Sequence, residues 1–117
     1  MFDVAHPEAG FIALVTIQIS DPSAHAPLLD LLVTEVEQWV RHQPGFISAN
    51  YHISAEGHRV VNYAQWRSEE DYRESFRRNP DAGALRGAIL AVPGVETLEM
   101  VPYTLARSVA AATPAST

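Results

Sequence analysis

The sequence predicts an α+β domain in which an antiparallel sheet carries its helices on one face, with the elements in the order βαββαβ. Three observations lead there. Runs rich in β-branched and aromatic residues alternate with stretches whose apolar residues recur at helical spacing, and Pro-Gly or Asn-Pro pairs separate them. Two of the strand-like runs are joined by only a few turn residues, the signature of an antiparallel hairpin. The chain has 117 residues, one domain's worth, enough to bury about two-thirds of its unfolded surface. We expect a single domain over residues 1–108 and a tail over residues 109–117.

The first strand spans residues 10–19, GFIALVTIQI. Phe11, Ala13, Val15, Ile17 and Ile19 share one side and Ile12 and Leu14 the other, so both faces are apolar and both need cover. Asp21-Pro22-Ser23 breaks the strand. Residues 28–42 follow as an amphipathic helix, with Leu28, Leu29, Leu32, Val36, Trp39 and Val40 at helical spacing, and Pro44-Gly45 stops it. Residues 46–54 and 60–66 form the hairpin around Ala55-Glu56-Gly57. Ser68, with Asp71 three residues later, reads as a capping box that opens a helix over residues 68–78. Arg77 and Arg78 suit the negative end of that helix, and Asn79-Pro80 closes it. Asp81 caps a short third helix whose Leu85 and Ile89 face inward; Pro93-Gly94 ends it and residues 95–103 are the last strand. The tail of Ala, Ser, Thr and Pro is expected to be disordered.

This order is the ferredoxin-like arrangement with one extra helical segment. A turn centred on Glu56 would set His52 opposite Val60 and Asn50 opposite Asn62, placing His52, Asn50, Asn62 and Trp66 on one face. The other face of the hairpin would carry Ile47, Ala49, Tyr51, Ile53, Val61 and Tyr63, too apolar for water. With no helix left to cover such a face, two copies packed sheet on sheet would form a symmetric homodimer with a shared barrel.

Composition narrows the function. A formal net charge of −6, with only eight Lys plus Arg and no basic cluster, argues against nucleic acid and anionic membranes as partners. No apolar run approaches the roughly 20 residues of a membrane span, and Met1-Phe2-Asp3-Val4 lacks the basic flank of a signal peptide, so a cytoplasmic location is expected. The absence of cysteine removes disulfides, thiolate nucleophiles and thiolate metal sites together. The five histidines show neither HxH nor HExxH spacing, and neither a GxGxxG nor a P-loop sequence is present. Nucleotide, flavin and metal cofactors are therefore not expected.

Candidate chemistry gathers between residues 44 and 76. In VVNYAQW, Asn62, Ala64 and Trp66 point to one side of a strand, with the small Ala64 leaving room between an amide and an indole. A strand-end Trp is commonly a core aromatic. An Asn amid Val-Val and Tyr-Ala is costlier, about 1 to 3 kcal/mol if its amide lacks a partner, so a ligand or partner side chain is expected there. Tyr72 in the first turns of the next helix can hang over the indole, although Tyr72 and Phe76 at i, i+4 would also pack as plain core. Arg86 reads either as a solvated surface arginine or as a fixed cation. Tyr51 and His52 are adjacent and point to opposite faces unless a bulge intervenes.

Together, PGFISANYH, VVNYAQWRSEEDYRESF and ALRGAI resemble the antibiotic biosynthesis monooxygenase family, and the similarity runs from GFIALVT to the last strand. The resemblance implies a homodimer of ferredoxin-like subunits with one pocket per subunit between sheet and helices. It further implies oxidation of a phenol or hydroquinone ring of an aromatic polyketide to a quinone by O₂, with neither metal nor flavin. The implied catalytic residues are Asn62, Trp66, Tyr72 and Arg86, with Tyr51 and His52 binding substrate. Either Tyr72 or His52 would serve in proton transfer. Two other readings stay open: a non-catalytic dimeric barrel that binds an aromatic metabolite, and a haem-degrading monooxygenase, which would need an axial histidine where the second helix offers Tyr72, Ser75 and Phe76.

Overall fold

The computed structural model describes residues 10–80 and 82–112. Its strands β1 (Phe11–Ile19), β2 (Phe46–Ile53), β3 (Arg59–Trp66) and β4 (Val95–Thr104) form one antiparallel sheet in the order β2-β3-β1-β4. Helices α1 (His25–Gln38), α2 (Glu69–Arg78) and α3 (Ala82–Leu90) complete the ferredoxin-like fold. All pack on one face. Leu28 and Leu32 of α1 and Ile89 of α3 join Ile17, Ile19 and Val60 in one buried cluster. Tyr72 and Phe76 of α2 pack with Phe11, Ala13, Ala64 and Trp66 in a second.

Local chemistry sets the boundaries. Asp21 caps a short 3₁₀ turn, Pro22–Ala24, by accepting from the Ser23 amide at 3.0 Å. The helix then starts at His25 rather than residue 28, because Pro27 falls in the first turn, where its missing N–H has no intrahelical partner to lose. Trp39, at φ −143°, ends α1, and Val40–His42 continues as a 3₁₀ turn instead of the α-helix expected through residue 42. Gly45 and Gly94 adopt φ of 85° and 93° ahead of β2 and β4, a region glycine enters without penalty. The Ser68 hydroxyl accepts from the Asp71 amide at 3.1 Å and opens α2. The expected cap Asp81 lies outside the described residues, as do residues 1–9 and 113–117; residues 109–112 form neither helix nor strand.

The hairpin register differs from the expectation by one residue. Tyr51 pairs with Asn62, His52 with Val61 and Ile53 with Val60, because the connection closes through Ser54, whose amide donates to the Arg59 carbonyl at 2.9 Å while its hydroxyl accepts from the Arg59 amide at 3.0 Å. A one-residue slip exchanges the faces of β2. Ala49, Tyr51 and Ile53 therefore lie on the helix side, and Asn50 and His52 on the other. A register shift between Phe46 and Ser48 restores Phe46 to the helix side.

The face away from the helices carries Ile12, Leu14 and Thr16 of β1, flanked by Gln65, Tyr63 and Val61 of β3 and by Tyr103, Val101 and Glu99 of β4. It is this set that faces away from the helices; of the residues expected there, Ala49 and Ile53 lie on the helix side, Ile53 still 45% exposed near the strand end, and Ile47 falls in the register shift. Among the described residues, no helix is long and apolar enough to cross a membrane.

Candidate active site

Three rows of side chains on the helix side of the sheet build a floor. Phe46, Trp66 and Phe11 pair across β2, β3 and β1; the next row is Ala49, Ala64 and Ala13; the third is Tyr51, Asn62 and Val15. Rows on one face lie about 6.6 Å apart along the strands. Three methyl groups where larger side chains would normally interdigitate leave a gap, so the two buried clusters do not merge. A cavity of about 220 Å³ lies between them, with Ala13, Ala49, Ala64, Asn62, Trp66 and Tyr51 in its wall.

Aromatic packing fixes the wall beside the alanines. The Trp66 ring, only 1% exposed, meets Tyr72 at 5.5 Å between centroids and 81°, and Phe46 at 5.3 Å and 79°. These are the edge-to-face contacts aromatic quadrupoles prefer. Tyr72 in turn contacts Phe11 at 5.3 Å and Phe76 at 4.9 Å. The phenol thus stands against the indole, as the capping of α2 by Ser68 leads one to expect.

The polar groups are few. Asn62 Oδ1 is buried and accepts no hydrogen bond among the described residues, the condition in which an amide oxygen costs about 1 to 3 kcal/mol. Tyr51 donates to the Leu32 carbonyl at 3.4 Å; burial, with the charge of Glu37 adding to it, pushes the Tyr51 phenol up to about 12. Burial also raises the Tyr72 phenol, against a smaller opposing effect of Arg73. Both therefore stand as neutral phenols at physiological pH, hydrogen-bond donors and not bases. Arg86 reaches the cavity from α3 while remaining exposed, a cation at the rim.

Asn62, Trp66, Tyr72, Arg86 and Tyr51 are thus gathered around one space. His52 is not: the register turns it to the far face, where it is exposed. Among the described residues lining the cavity there is no histidine, and no group of three or more His, Cys, Asp or Glu side chains is placed to hold a metal. Among the charged lining residues, one escaped the sequence reading. Glu35 of α1 borders the cavity, its Oε2 accepting from Trp39 Nε1 at 2.6 Å. The signal was a lone charge three residues after Leu32 and four before Trp39, within the apolar stripe.

The fold and the site together define the class: a ferredoxin-like subunit with a small aromatic-walled cavity between sheet and helices, in whose floor one buried amide oxygen accepts no hydrogen bond among the described residues. Within that class, the chain belongs to the antibiotic biosynthesis monooxygenase family, whose model matches residues 10–88. It is 46% identical over 67 residues to tetracenomycin-F1 monooxygenase of Streptomyces glaucescens, a match covering 57% of this chain and 60% of that protein's length. It is 38% identical to the monooxygenase from the gene ActVA-Orf6 of Streptomyces coelicolor, solved in complex with nanaomycin D. That likeness covers 95% of this chain and 100% of the other at a TM-score of 0.86. SnoaB of Streptomyces nogalater, a cofactor-independent oxygenase, shares the fold at a TM-score of 0.65 with 18% identity over 86% of this chain and 97% of that one.

Proposed function

We propose that this protein is a cofactor-independent monooxygenase that oxidises a phenol or hydroquinone ring of an aromatic polyketide to a quinone with O₂. The observation that carries the reading is Asn62 Oδ1, a buried acceptor with no partner among the described residues on the floor of an aromatic-walled cavity: a phenolic hydroxyl is the group that satisfies it. A volume of about 220 Å³ falls just below the roughly 300 Å³ at which ordinary ligand pockets begin, which suits about two or three fused rings. The likeness to two monooxygenases, one solved with nanaomycin D, supports the same chemistry.

For a phenol with a ring C–H para to its hydroxyl, the reaction is substrate plus O₂ giving quinone plus water; a hydroquinone oxygenated at a ring C–H in the same way gives a hydroxyquinone plus water. Triplet O₂ reacts poorly with closed-shell molecules, so the substrate must first become an anion that can release one electron. Arg86 at the rim favours that ionisation, since a nearby positive charge stabilises the phenolate, and the proton passes to solvent. One electron moves to O₂; superoxide and the ring radical combine to form a carbon–oxygen bond. Tyr72, kept as a neutral phenol by burial, donates toward the peroxide oxygen, the Trp66 indole N–H donates to the ionised ring oxygen, and Asn62 Oδ1 accepts from a hydroxyl that keeps its proton. The peroxide takes a proton back from solvent, and loss of water, with the hydrogen of the same carbon, leaves the quinone. Tyr51 orders the wall, and His52 has no part in the proton path from its place on the far face.

The whole of residues 1–108 acts as one domain in this reading, and the protein works in the cytoplasm as a homodimer. The apolar set Leu14, Val61, Tyr63, Val101 and Tyr103, with Tyr103 50% exposed, supports the dimer by offering a sheet face for a second copy. An oxygen electrode tests the activity: protein with anthrone or naphthol should consume O₂ and form quinone in step. Tight binding of both probes without oxygen uptake would leave a binding protein instead.

A further inference from the structure

We infer that Glu35 is a specificity-determining residue, its carboxylate accepting a hydrogen bond from a second hydroxyl of the substrate and turning away substrates that carry a carboxylate at that point. The inference rests on the cavity being the substrate site, as proposed above.

The placement of Glu35 requires an explanation. It sits in the apolar stripe of α1 between Leu32 and Val36, half-buried and bordering the cavity, where a carboxylate is costly unless it is hydrogen-bonded. Trp39 Nε1 supplies one donor at 2.6 Å. The Trp39 ring is itself held edge-on against Phe76 at 5.1 Å and 72°, so the carboxylate is fixed rather than free to swing into water. A carboxylate has about four acceptor positions, and one indole N–H uses one of them.

The position relative to Asn62 defines the ligand. Asn62 and Tyr51 are neighbours on the floor, and the Tyr51 hydroxyl reaches the Leu32 carbonyl. Glu35 lies three residues further along α1, roughly 4.5 Å of helical rise. The floor therefore presents an acceptor without a donor among the described residues and the α1 wall a carboxylate with acceptor positions to spare, and a polyhydroxylated aromatic supplies donors to both. An anionic group there would meet Glu35, while the cation that lines the cavity among the described residues, Arg86, stands on α3 at the exposed rim and not on α1, and Glu37, whose charge already acts on Tyr51, adds to the same negative potential. Selectivity by an unpaired like charge is a general device.

The test uses calorimetric binding of a dihydroxyanthraquinone carrying, at one ring carbon, a hydroxyl, a methoxyl or a carboxylate. The wild type should bind the hydroxyl form about tenfold or more tightly than the other two, the range expected for one hydrogen bond to a charged group. Glu35→Gln keeps the shape and an acceptor for Trp39, and should bring the carboxylate form to within about threefold of the hydroxyl form at an unchanged melting temperature. Trp39→Phe, which releases the carboxylate without removing it, should lessen the discrimination. An unchanged ratio in Glu35→Gln overturns the inference and leaves the proposed function standing. Failure of the wild type to bind any of the three overturns both.

Discussion

Replacing Asn62 by leucine should move stability and activity in opposite directions. The side chains are similar in size, so the substitution chiefly removes a buried amide whose Oδ1 accepts no hydrogen bond among the described residues. Relief of an unsatisfied buried acceptor is worth about 1 to 3 kcal/mol. Repacking against Tyr51 and Val15 takes back part of that, leaving a net gain of about 1 kcal/mol. For a domain of this size that gain corresponds to roughly 4 °C in Tm, read by calorimetry without ligand. The same change deletes the acceptor for the substrate hydroxyl, so kcat/KM for quinone formation should fall about ten- to a hundredfold. A lower Tm with unchanged turnover would refute the reasoning, because Asn62 would then be a satisfied structural residue.

Arg86→Ala should leave stability within about 0.5 kcal/mol, since the side chain is exposed, yet lower kcat/KM about ten- to a thousandfold; normal turnover would make Arg86 a surface residue. Trp66→Phe, which keeps most of the packing against Phe46 and Tyr72 but deletes the indole N–H, should likewise reduce turnover more than Tm, and the reverse pattern would assign it to the core alone. Ala64→Leu should fill the gap in the alanine row, raising Tm slightly through about 1 kcal/mol of added apolar burial while weakening substrate binding about tenfold or more; a normal KM would place the substrate elsewhere. Tyr51 ionises near 10 when unfolded and near 12 when folded. The stability it lends is therefore complete below pH 10 and lost as pH rises toward 12, and Tyr51→Phe should flatten the fall of Tm across that window.

Much of this architecture was legible because local signals agree with the global fold. The alternation in β3 put Asn62, Ala64 and Trp66 on one side before any partner was known, and Ser68 fixed where α2 and its Tyr72 begin. What one strand cannot show is its neighbour's register. The loop between Ile53 and Arg59 holds no Asn-Gly pair to dictate a turn type, and its closure through Ser54 shifts the pairing by a single residue, which removes His52 from the site and admits Tyr51. The alanine row is invisible for the same reason: Ala13, Ala49 and Ala64 lie far apart in sequence and become one gap only when paired. Glu35 was hidden by its company, since a carboxylate in an apolar stripe is read as the stripe's edge until Trp39 is seen to hold it.

The most direct test of the central claim is isotopic. Protein whose metal and flavin content has been measured and found substoichiometric is given an anthrone under labelled O₂, and the quinone is analysed by mass spectrometry. Incorporation of a single labelled oxygen per quinone, at a rate that chelators leave unchanged and that Asn62→Leu lowers, is the predicted result. Label absent from the quinone, or turnover that tracks residual metal or flavin, would contradict a cofactor-independent monooxygenase.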